Sequence, residues 1–321
     1  MLDFTVAICT YNGEKRLPDV LERLQNQTGV EQISWEIIIV DNNSKDNTAQ
    51  VIQNYQSSWS KAYPIRYCFE PEQGLAFARR HVIKEARGNF IGFLDDDNLP
   101  ASNWVEAAYR FSKLHPKLGA YGGRIGGEFE VAPPEGFEKI ARFFALIDGK
   151  KSYCYNHKYS STHKKLFPPG AGMVIRKEAW LESVPEQPRL EGVCGESFSS
   201  KGEDVETLSH IQRAGWEIWF NPEMYIEHKI PKHRLEKKYL ISFFRGVGIS
   251  RYQIRMLGYK PWQRPLIIPA YLANDLLKTV LYFIKSRSKL KEDIVAACEM
   301  ELLLGLVSSP FYHWKKQLLG G

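Results

Sequence analysis

Residues Asn89–Asn98, NFIGFLDDDN, decide the fold class: an apolar run of strand length stops on three consecutive carboxylates, Asp95, Asp96 and Asp97. A run without polar alternation marks a strand covered on both faces, and such strands belong to parallel sheets. Toward the N-terminus the theme recurs. FTVAICT (4–10) passes through the polar YNGE into LPDVLERLQNQ, where Leu17, Val20, Leu21 and Leu24 keep helical spacing. In WEIIIVDNNS (35–44) the apolar run from Ile37 to Val40 stops at Asp41, and a helical pattern follows from Thr48 to Tyr55. IRYCFE (65–70) leads through PEQG, ending on Gly74, into LAFARRHVIKEA. Four strands alternating with helices predict an α/β fold with a mixed, mostly parallel central sheet flanked by helices.

In such sheets ligands bind at the carboxyl ends of the strands. The polar clusters TYNGE, DNNS, EPEQG and DDDN all fall at those ends, so the candidate site is assembled from four loops. Beyond residue 100 the alternation loosens through the Gly-rich YGGRIGGEF (121–129) and a loop-like segment around Pro133 and Pro134. Order returns at GAGMVIRKEAW (170–180) and at GEDVETLSHIQRAGW (202–216), where a helix opens on Glu203 and Asp204.

The chain has 321 residues, 44% hydrophobic and 25% charged, which is ordinary globular composition and not that of a disordered protein. Its five cysteines, Cys9, Cys68, Cys154, Cys194 and Cys298, lie far apart without a CxxC pair, which argues against a structural zinc site or a disulfide framework and favours a reducing compartment. The start, MLDFTVAICTYNGEKRLP, lacks a basic n-region and a long apolar core, so a cytoplasmic location is expected. Residues 1–230 carry 27 basic and 31 acidic residues, a net of −4, whereas 231–321 carry 16 and 6, a net of +10. The predicted organisation is an α/β domain over 1–230 and a basic, amphipathic helical extension over 231–321, with helices near 235–257, 266–285 and 292–308. The middle one, PLIIPAYLANDLLKTVLYFIK, approaches membrane-span length. Asp275 and Lys278 would sit near its centre beside Asn274, each ionised group costing about 2.5 to 3.5 kcal/mol there, so an amphipathic or core helix is expected rather than a span. Peripheral contact with the cytoplasmic face of an inner membrane fits the charge. No nucleic-acid motif accompanies it.

Adjacent carboxylates repel unless a cation or hydrogen bonds offset them. A hard divalent ion, Mg²⁺ or Mn²⁺, held by one or two carboxylates and completed by phosphate and water, is the simplest partner for Asp95 and Asp97, and one of the pair can bind a ribose hydroxyl instead. A solvated turn is the competing reading. Asp41, with Asn42 and Asn43, can read a nucleobase edge or form an Asx turn. Thr10, Tyr11, Asn12 and Glu14 can wall the base and ribose, or serve only as a strand-to-helix loop. Arg79 can reach a diphosphate or stay a solvated charge. His228, after the strand-like MYIE, can ligate Mn²⁺ or be structural. Arg245 and Arg251 can clamp phosphate or line a basic helix.

The blocks VAICTYNGE, IIIVDNNSKDNT, GLAFARR, FLDDDN, GAGMVIRKEAW and GEDVETLSHIQRAGWEIWFNPEMYIEH, in this order over roughly residues 1–230, resemble the family 2 glycosyltransferases, whose fold is called GT-A. The whole chain is most similar to the hormogonium polysaccharide biosynthesis type. The resemblance implies a nucleotide-diphospho-sugar donor, with UDP the leading nucleotide and dTDP and GDP also found among relatives. It implies Thr10, Tyr11, Asn12, Glu14, Asp41, Asn43, Arg79, Asp95 and Asp96 around the nucleotide, and Asp97, Asp95 and His228 around Mn²⁺ or Mg²⁺. It puts Asp204 in the place of the catalytic base, with Glu203 as fallback. Both stand at a helix start, where negative charge is favoured, and a plain helix N-cap is the competing reading. Gly170, Ala171, Gly172 and Gly123 leave room for the donor sugar and acceptor, or make tight turns. Donor selectivity is expected from YGGRIGG and the loop over 145–168.

The implied reaction is an inverting transfer of one sugar to a glycan or lipid-linked hydroxyl in cell-surface polysaccharide or exopolysaccharide synthesis. A nucleotidyltransferase would need a Gly-rich first loop, but TYNGEKR holds a single glycine. A dinucleotide oxidoreductase would need GxGxxG after the first strand. A retaining transferase of the same fold shares the metal motif, and the GED block argues for inversion. An inactive sugar-nucleotide or polysaccharide scaffold is the non-enzymatic alternative. No QxxRW-type motif of processive synthases is evident.

Overall fold

The computed structural model describes residues 2–155, 167–187, 190, 192 and 202–318. Cys194 and the middle of the loop over 145–168 lie outside them. The chain forms two compact units. The first comprises Met1–Glu128, Ala145–Arg189 and Glu203–Lys229, and the second Phe129–Phe144, Leu190–Gly202 and Ile230–Gly321.

The first unit is built on the strand-loop-helix repeats: β1 (Leu2–Thr10), α1 (Leu17–Gln25), β2 (Trp35–Asp41), α2 (Thr48–Ser58), β3 (Ile65–Phe69), α3 (Leu75–Glu85) and β4 (Gly88–Asp95). Then follow β5 (Asn98–Pro100), α4 (Trp104–Ser112), β6 (Leu118–Phe129), β7 (Tyr153–Cys154), β8 (Val174–Arg176), α5 (Lys177–Ser183), α6 (Glu203–Arg213) and β9 (Glu217–Ile230). Among the described residues nine strands form one sheet, ordered β3-β2-β1-β4-β8-β6-β9-β5, with β7 on β9. The first four strands in that order are parallel, whereas β8 is antiparallel to β4 and β6, and β5 is antiparallel to β9.

Alternation along β1 explains the two layers of core. Phe4, Val6 and Ile8 face the layer of α1 and α4, packing with Leu17, Leu21, Leu24 and Trp104, while Ala7 and Cys9 face the layer of α3, α5 and α6 with Val82, Trp180 and Leu208. Each fully buried aliphatic side chain stabilises by about 1.5 to 3 kcal/mol, which is why a strand covered on both faces is mostly apolar.

The Gly-rich stretch expected to loosen the pattern lies inside the 12-residue β6. Its glycines accommodate large neighbours: a Cβ on Gly123 would lie 2.4 Å from the Met224 carbonyl oxygen. Low strand propensity is overridden by this close packing. The second unit carries α7 (Lys237–Met256), α8 (Arg264–Ser286) and α9 (Ile294–Leu318). The last was expected to end near residue 308, ahead of Pro310, but the helix continues through that proline.

Candidate active site

Parallel register brings the strand ends level. Thr10 pairs with Asp41 across β1 and β2, and Cys9 with Asp95 across β1 and β4. The loops beyond them are stitched together by hydrogen bonds. Asn12 donates its N–H to Ser44 Oγ (2.9 Å), and its Oδ1 accepts from the Lys45 N–H (2.8 Å). Gly13 N–H donates to Thr48 Oγ1 (2.8 Å), and Glu14 Oε2 accepts from the Asn47 N–H (2.9 Å). Asn12 and Asn43 both hold positive φ, 52° and 65°, a conformation asparagine tolerates better than most residues.

Asp41 is buried, its Oδ1 accepting from the Ser44 N–H (2.9 Å) and its Oδ2 from Tyr67 OH (3.2 Å). The Asp41 carboxylate thus ties down its own loop through the N–H three residues on. Asn43 Nδ2 donates to the Pro71 carbonyl (3.1 Å). The chief organiser of the third loop is Asn42, which donates to the Glu72 carbonyl (2.6 Å) and accepts from the Gly74 N–H (2.7 Å). No sequence signal separated Asn42 from its neighbours in DNNS. Tyr11 is partly exposed just past β1.

The three aspartates have different surroundings. Asp96 turns back to Arg16, which donates Nε to Oδ1 (2.7 Å) and Nη2 to Oδ2 (2.8 Å), and Thr10 Oγ1 donates to Oδ2 (2.6 Å). This bidentate pair occupies Asp96 and Thr10, both foreseen beside the nucleotide, within the protein. Arg16 was not singled out in the sequence because an arginine ahead of a helix is usually solvated. Asp97 Oδ1 accepts from Asn98 Nδ2 (3.0 Å), and its Oδ2 lies 3.5 Å from His228 Nε2. Antiparallel pairing of Asn98 with His228 positions that histidine. The Asp95 backbone N–H donates to Asn98 Oδ1 (3.0 Å), which ties the end of β4 to the start of β5.

Burial pushes the Asp95 carboxyl up, and Asp97 and Asp96 add to that, while Arg79 and His228 oppose it. Asp96 is raised by burial as well, against the pull of Arg16. Among the described residues no three His, Cys, Asp or Glu side chains already converge as a metal-binding group. The expected trio Asp95, Asp97 and His228 is thus not a closed cage but the Asp97–His228 pair beside a further carboxylate. That donor set fits a hard divalent ion, which takes few protein ligands and completes its shell with phosphate and water.

Arg79 is not a solvated charge. It is buried, pairs through Nη1 with Glu203 Oε1 (3.0 Å), and lies over the Phe93 ring at 5.5 Å. Gly170 makes room for it, since a Cβ there would lie 2.4 Å from Arg79 Nη2. Glu203, the fallback base, is therefore bound to arginine, whereas its neighbour Asp204 accepts through Oδ2 from the Gly170 N–H (3.0 Å) and through Oδ1 from the Val205 N–H (2.8 Å). The GAG turn and the start of α6 meet at this bond. Ala171 is buried in the core and Gly172 holds φ 66°. Gly123, facing Met224, has its space filled by the sheet. Arg245 is paired with Glu301 at 2.5 Å within the second unit.

Residues 5–181 match the family described as Glycosyl transferase family 2. The chain belongs to that family. It is a glycosyltransferase, and its sheet with flanking helices is the GT-A fold. The mannosyltransferase PcManGT of Pyrobaculum calidifontis, solved with GDP-Man and Mn²⁺, superposes with a TM-score of 0.57 at 17% identity, covering 96% of this chain and 89% of that one. Glycosyltransferase AglE of Haloferax volcanii is 25% identical over 289 residues, 86% of this chain and 85% of that protein. The UDP-Glc:alpha-D-GlcNAc-diphosphoundecaprenol beta-1,3-glucosyltransferase WfgD of Escherichia coli is 32% identical over 108 residues, 33% of this chain and 40% of that protein. For this family 2 member, the arrangement sets a carboxylate-rich end at Asp95–Asp97 apart from the start of α6, where Glu203 is ion-paired with Arg79 and Asp204 is held by backbone N–H groups.

Proposed function

We propose that the protein is an inverting, metal-dependent glycosyltransferase that moves one sugar from a UDP-sugar to a hydroxyl of a lipid-linked or glycan acceptor in cell-surface polysaccharide synthesis, of the hormogonium polysaccharide type. The observation that carries this reading is the division of labour between neighbours: Glu203 is bound to Arg79, while among the described residues the hydrogen bonds to the Asp204 carboxylate come from the Gly170 and Val205 backbone N–H groups. A carboxylate held in that way keeps lone pairs for an acceptor hydroxyl. A double displacement would ask a second carboxylate to act as nucleophile, and Glu203 is committed to its ion pair. WfgD, a family relative whose name specifies UDP-Glc and a diphosphoundecaprenol acceptor, supports the donor and acceptor classes. PcManGT, solved with Mn²⁺, supports the ion.

In the proposed reaction Asp97 and His228, with Asp95 alongside, would hold the divalent ion. That ion supplies positive charge against the departing diphosphate. The loops over Tyr11–Glu14 and Asp41–Asn43 form the wall against which base and ribose would rest. Asp204 takes the proton of the acceptor hydroxyl as its oxygen bonds to the anomeric carbon, while the bond from that carbon to the diphosphate oxygen breaks and its electron pair leaves with UDP. Asp96 acts on this site through Arg16 and Thr10, fixing the first loop against the fourth.

Calorimetric titration of UDP, with and without Mn²⁺, tests the reading. Binding that requires Mn²⁺ and disappears in Asp97→Ala, together with Asp204→Asn that keeps UDP binding and loses UDP release from UDP-sugars, is expected. Metal-independent binding, or full turnover in Asp204→Asn, would overturn it.

A further inference from the structure

Helix α8 is turned inside out for a water-soluble protein. Its buried side chains are polar: Asp275 at 2% exposure, Thr279 at 6% and Ser286 at 9%. Its exposed ones are large and apolar: Leu266 at 75%, Leu277 at 59%, Leu281 at 57% and Ile284 at 61%. The inward polar groups are satisfied within the second unit. Arg255 of α7 pairs with Asp275, the Thr279 hydroxyl donates to the Asp275 carbonyl (2.7 Å), and Tyr282 OH pairs with Glu299 of α9 (2.7 Å). A helix that spends its polar residues on internal contacts and offers an apolar stripe outward is suited to a non-aqueous surrounding.

Charge selects which surrounding. Lys285 in the last turn of α8 and Arg287, Lys289 and Lys291 just beyond it are all exposed, and Lys278 and Lys285 border the apolar stripe. Trp262 ahead of the helix and Trp314 near the end of α9 are 70% and 62% exposed, and such rings favour the headgroup level of a bilayer. A protein partner would cover the leucines but gives no reason for a basic rim around them. The helix is long and apolar enough to cross a membrane, as is α9. Crossing, however, would bury Lys278 near mid-span, whereas lying in the interface lets it and Lys285 reach phosphates.

We infer that α8 lies in the plane of an anionic lipid bilayer, its Leu266–Leu277–Leu281–Ile284 face in the acyl boundary and its flanking lysines and arginines on lipid phosphates. This deepens the proposed use of a lipid-linked acceptor by naming the surface that would hold the enzyme where such acceptors reside. It requires no donor, metal or turnover.

The full chain is floated with vesicles of phosphatidylcholine alone and of phosphatidylcholine with phosphatidylglycerol. Co-flotation with the anionic vesicles, weaker by about tenfold or more on the neutral ones, is expected. The pair Leu277→Glu and Leu281→Glu, both at exposed positions, should abolish flotation with an unchanged circular dichroism spectrum and unchanged Mn²⁺-dependent UDP binding. Lys285→Glu with Lys289→Glu should remove the preference for anionic lipid. A chain that stays with neither vesicle, or that forms a dimer crosslinked through Leu281→Cys in place of binding lipid, would overturn the inference. UDP binding measured on the same samples separates such a failure from a failure of the donor site.

Discussion

Arg79 and Glu203 stand 124 residues apart in the chain and meet as a buried ion pair with Nη1 and Oε1 at 3.0 Å. One belongs to the helix after the third strand, the other to the first turn of α6. Arg79 also feels the negative charge of Asp95 and Asp204, so one guanidinium links the carboxylates at the strand ends to those at the start of α6. Two halves of the site separated in sequence thereby share one cation.

From this follows a ranking of the two acidic neighbours. Truncating Glu203 to Ala leaves Arg79 buried without its partner and should cost about 3 to 5 kcal/mol of stability. Glu203→Gln keeps the shape and a hydrogen bond, and should lower both stability and turnover moderately. Asp204→Asn should leave the denaturation midpoint nearly unchanged while removing transfer. Urea midpoints and UDP release measured on all three variants check this; a Glu203→Gln variant as stable as the parent but fully inactive would make Glu203 the base.

The Arg16–Asp96 pair gives a second expectation. Arg16→Ala leaves a buried carboxylate beside Asp97 with, among the described residues, the Thr10 hydroxyl as its remaining hydrogen-bond donor, and should cost about 1 to 3 kcal/mol, toward the lower end because the Arg16 side chain is 42% exposed. The first loop would lose its tie to the fourth, so UDP affinity should fall as well. Gly13→Ala should act in the same direction, since a Cβ there would lie 2.1 Å from Thr10 Oγ1 and 2.8 Å from Asp96 Oδ2. Normal UDP affinity in both variants would separate this network from the nucleotide site.

Much of this was legible in the chain itself. Apolar runs ending at Thr10, Asp41 and Asp95 betray parallel strands whose ends align, because a strand buried on both faces is mostly apolar and holds a polar residue only where a partner satisfies it, as Thr5 and Glu36 satisfy one another. The Gly-rich β6 was not legible as a strand, because its glycines answer to partners such as Met224 that are distant in sequence. For the same reason residue type pointed to the site but not to roles within it. Asp95, Asp96 and Asp97 are chemically identical, and only the neighbours, Arg16 for Asp96 and His228 for Asp97, distinguish them. Burial of Arg79 was likewise hidden, since a lone arginine on a helix reads as solvated until Glu203 is brought beside it.

The pairing of His228 with Asp97 predicts graded effects on metal use. His228→Ala should raise the Mn²⁺ concentration needed for half-maximal UDP binding on the order of 10- to 100-fold, while leaving some binding at saturating metal. Asp97→Ala should leave none, and chelation with EDTA should reproduce the Asp97→Ala result in the parent protein. The titration is run at fixed UDP with Mn²⁺ varied. Identical curves for His228→Ala and the parent would restrict the histidine to a structural role on β9.

Stability at alkaline pH supplies a test of the core around β1. Burial pushes the Cys9 thiol up to about 12, and burial raises the Tyr63 and Tyr67 hydroxyls to about 12, Asp41 adding to the effect on Tyr67. Ordinary values are 9.0 for the thiol and 10.0 for the phenols. The folded state therefore holds protons that the unfolded chain releases, so stability is full below about pH 9 and is lost as pH rises toward about 12. Cys9 alone contributes a slope of up to about 1.4 kcal/mol per pH unit within that window. Urea midpoints should be level from about pH 7 to 9 and fall above it, and Cys9→Ala should make the fall shallower. Midpoints that stay flat to about pH 11 would mean that water reaches Cys9, contrary to a strand sealed on both faces.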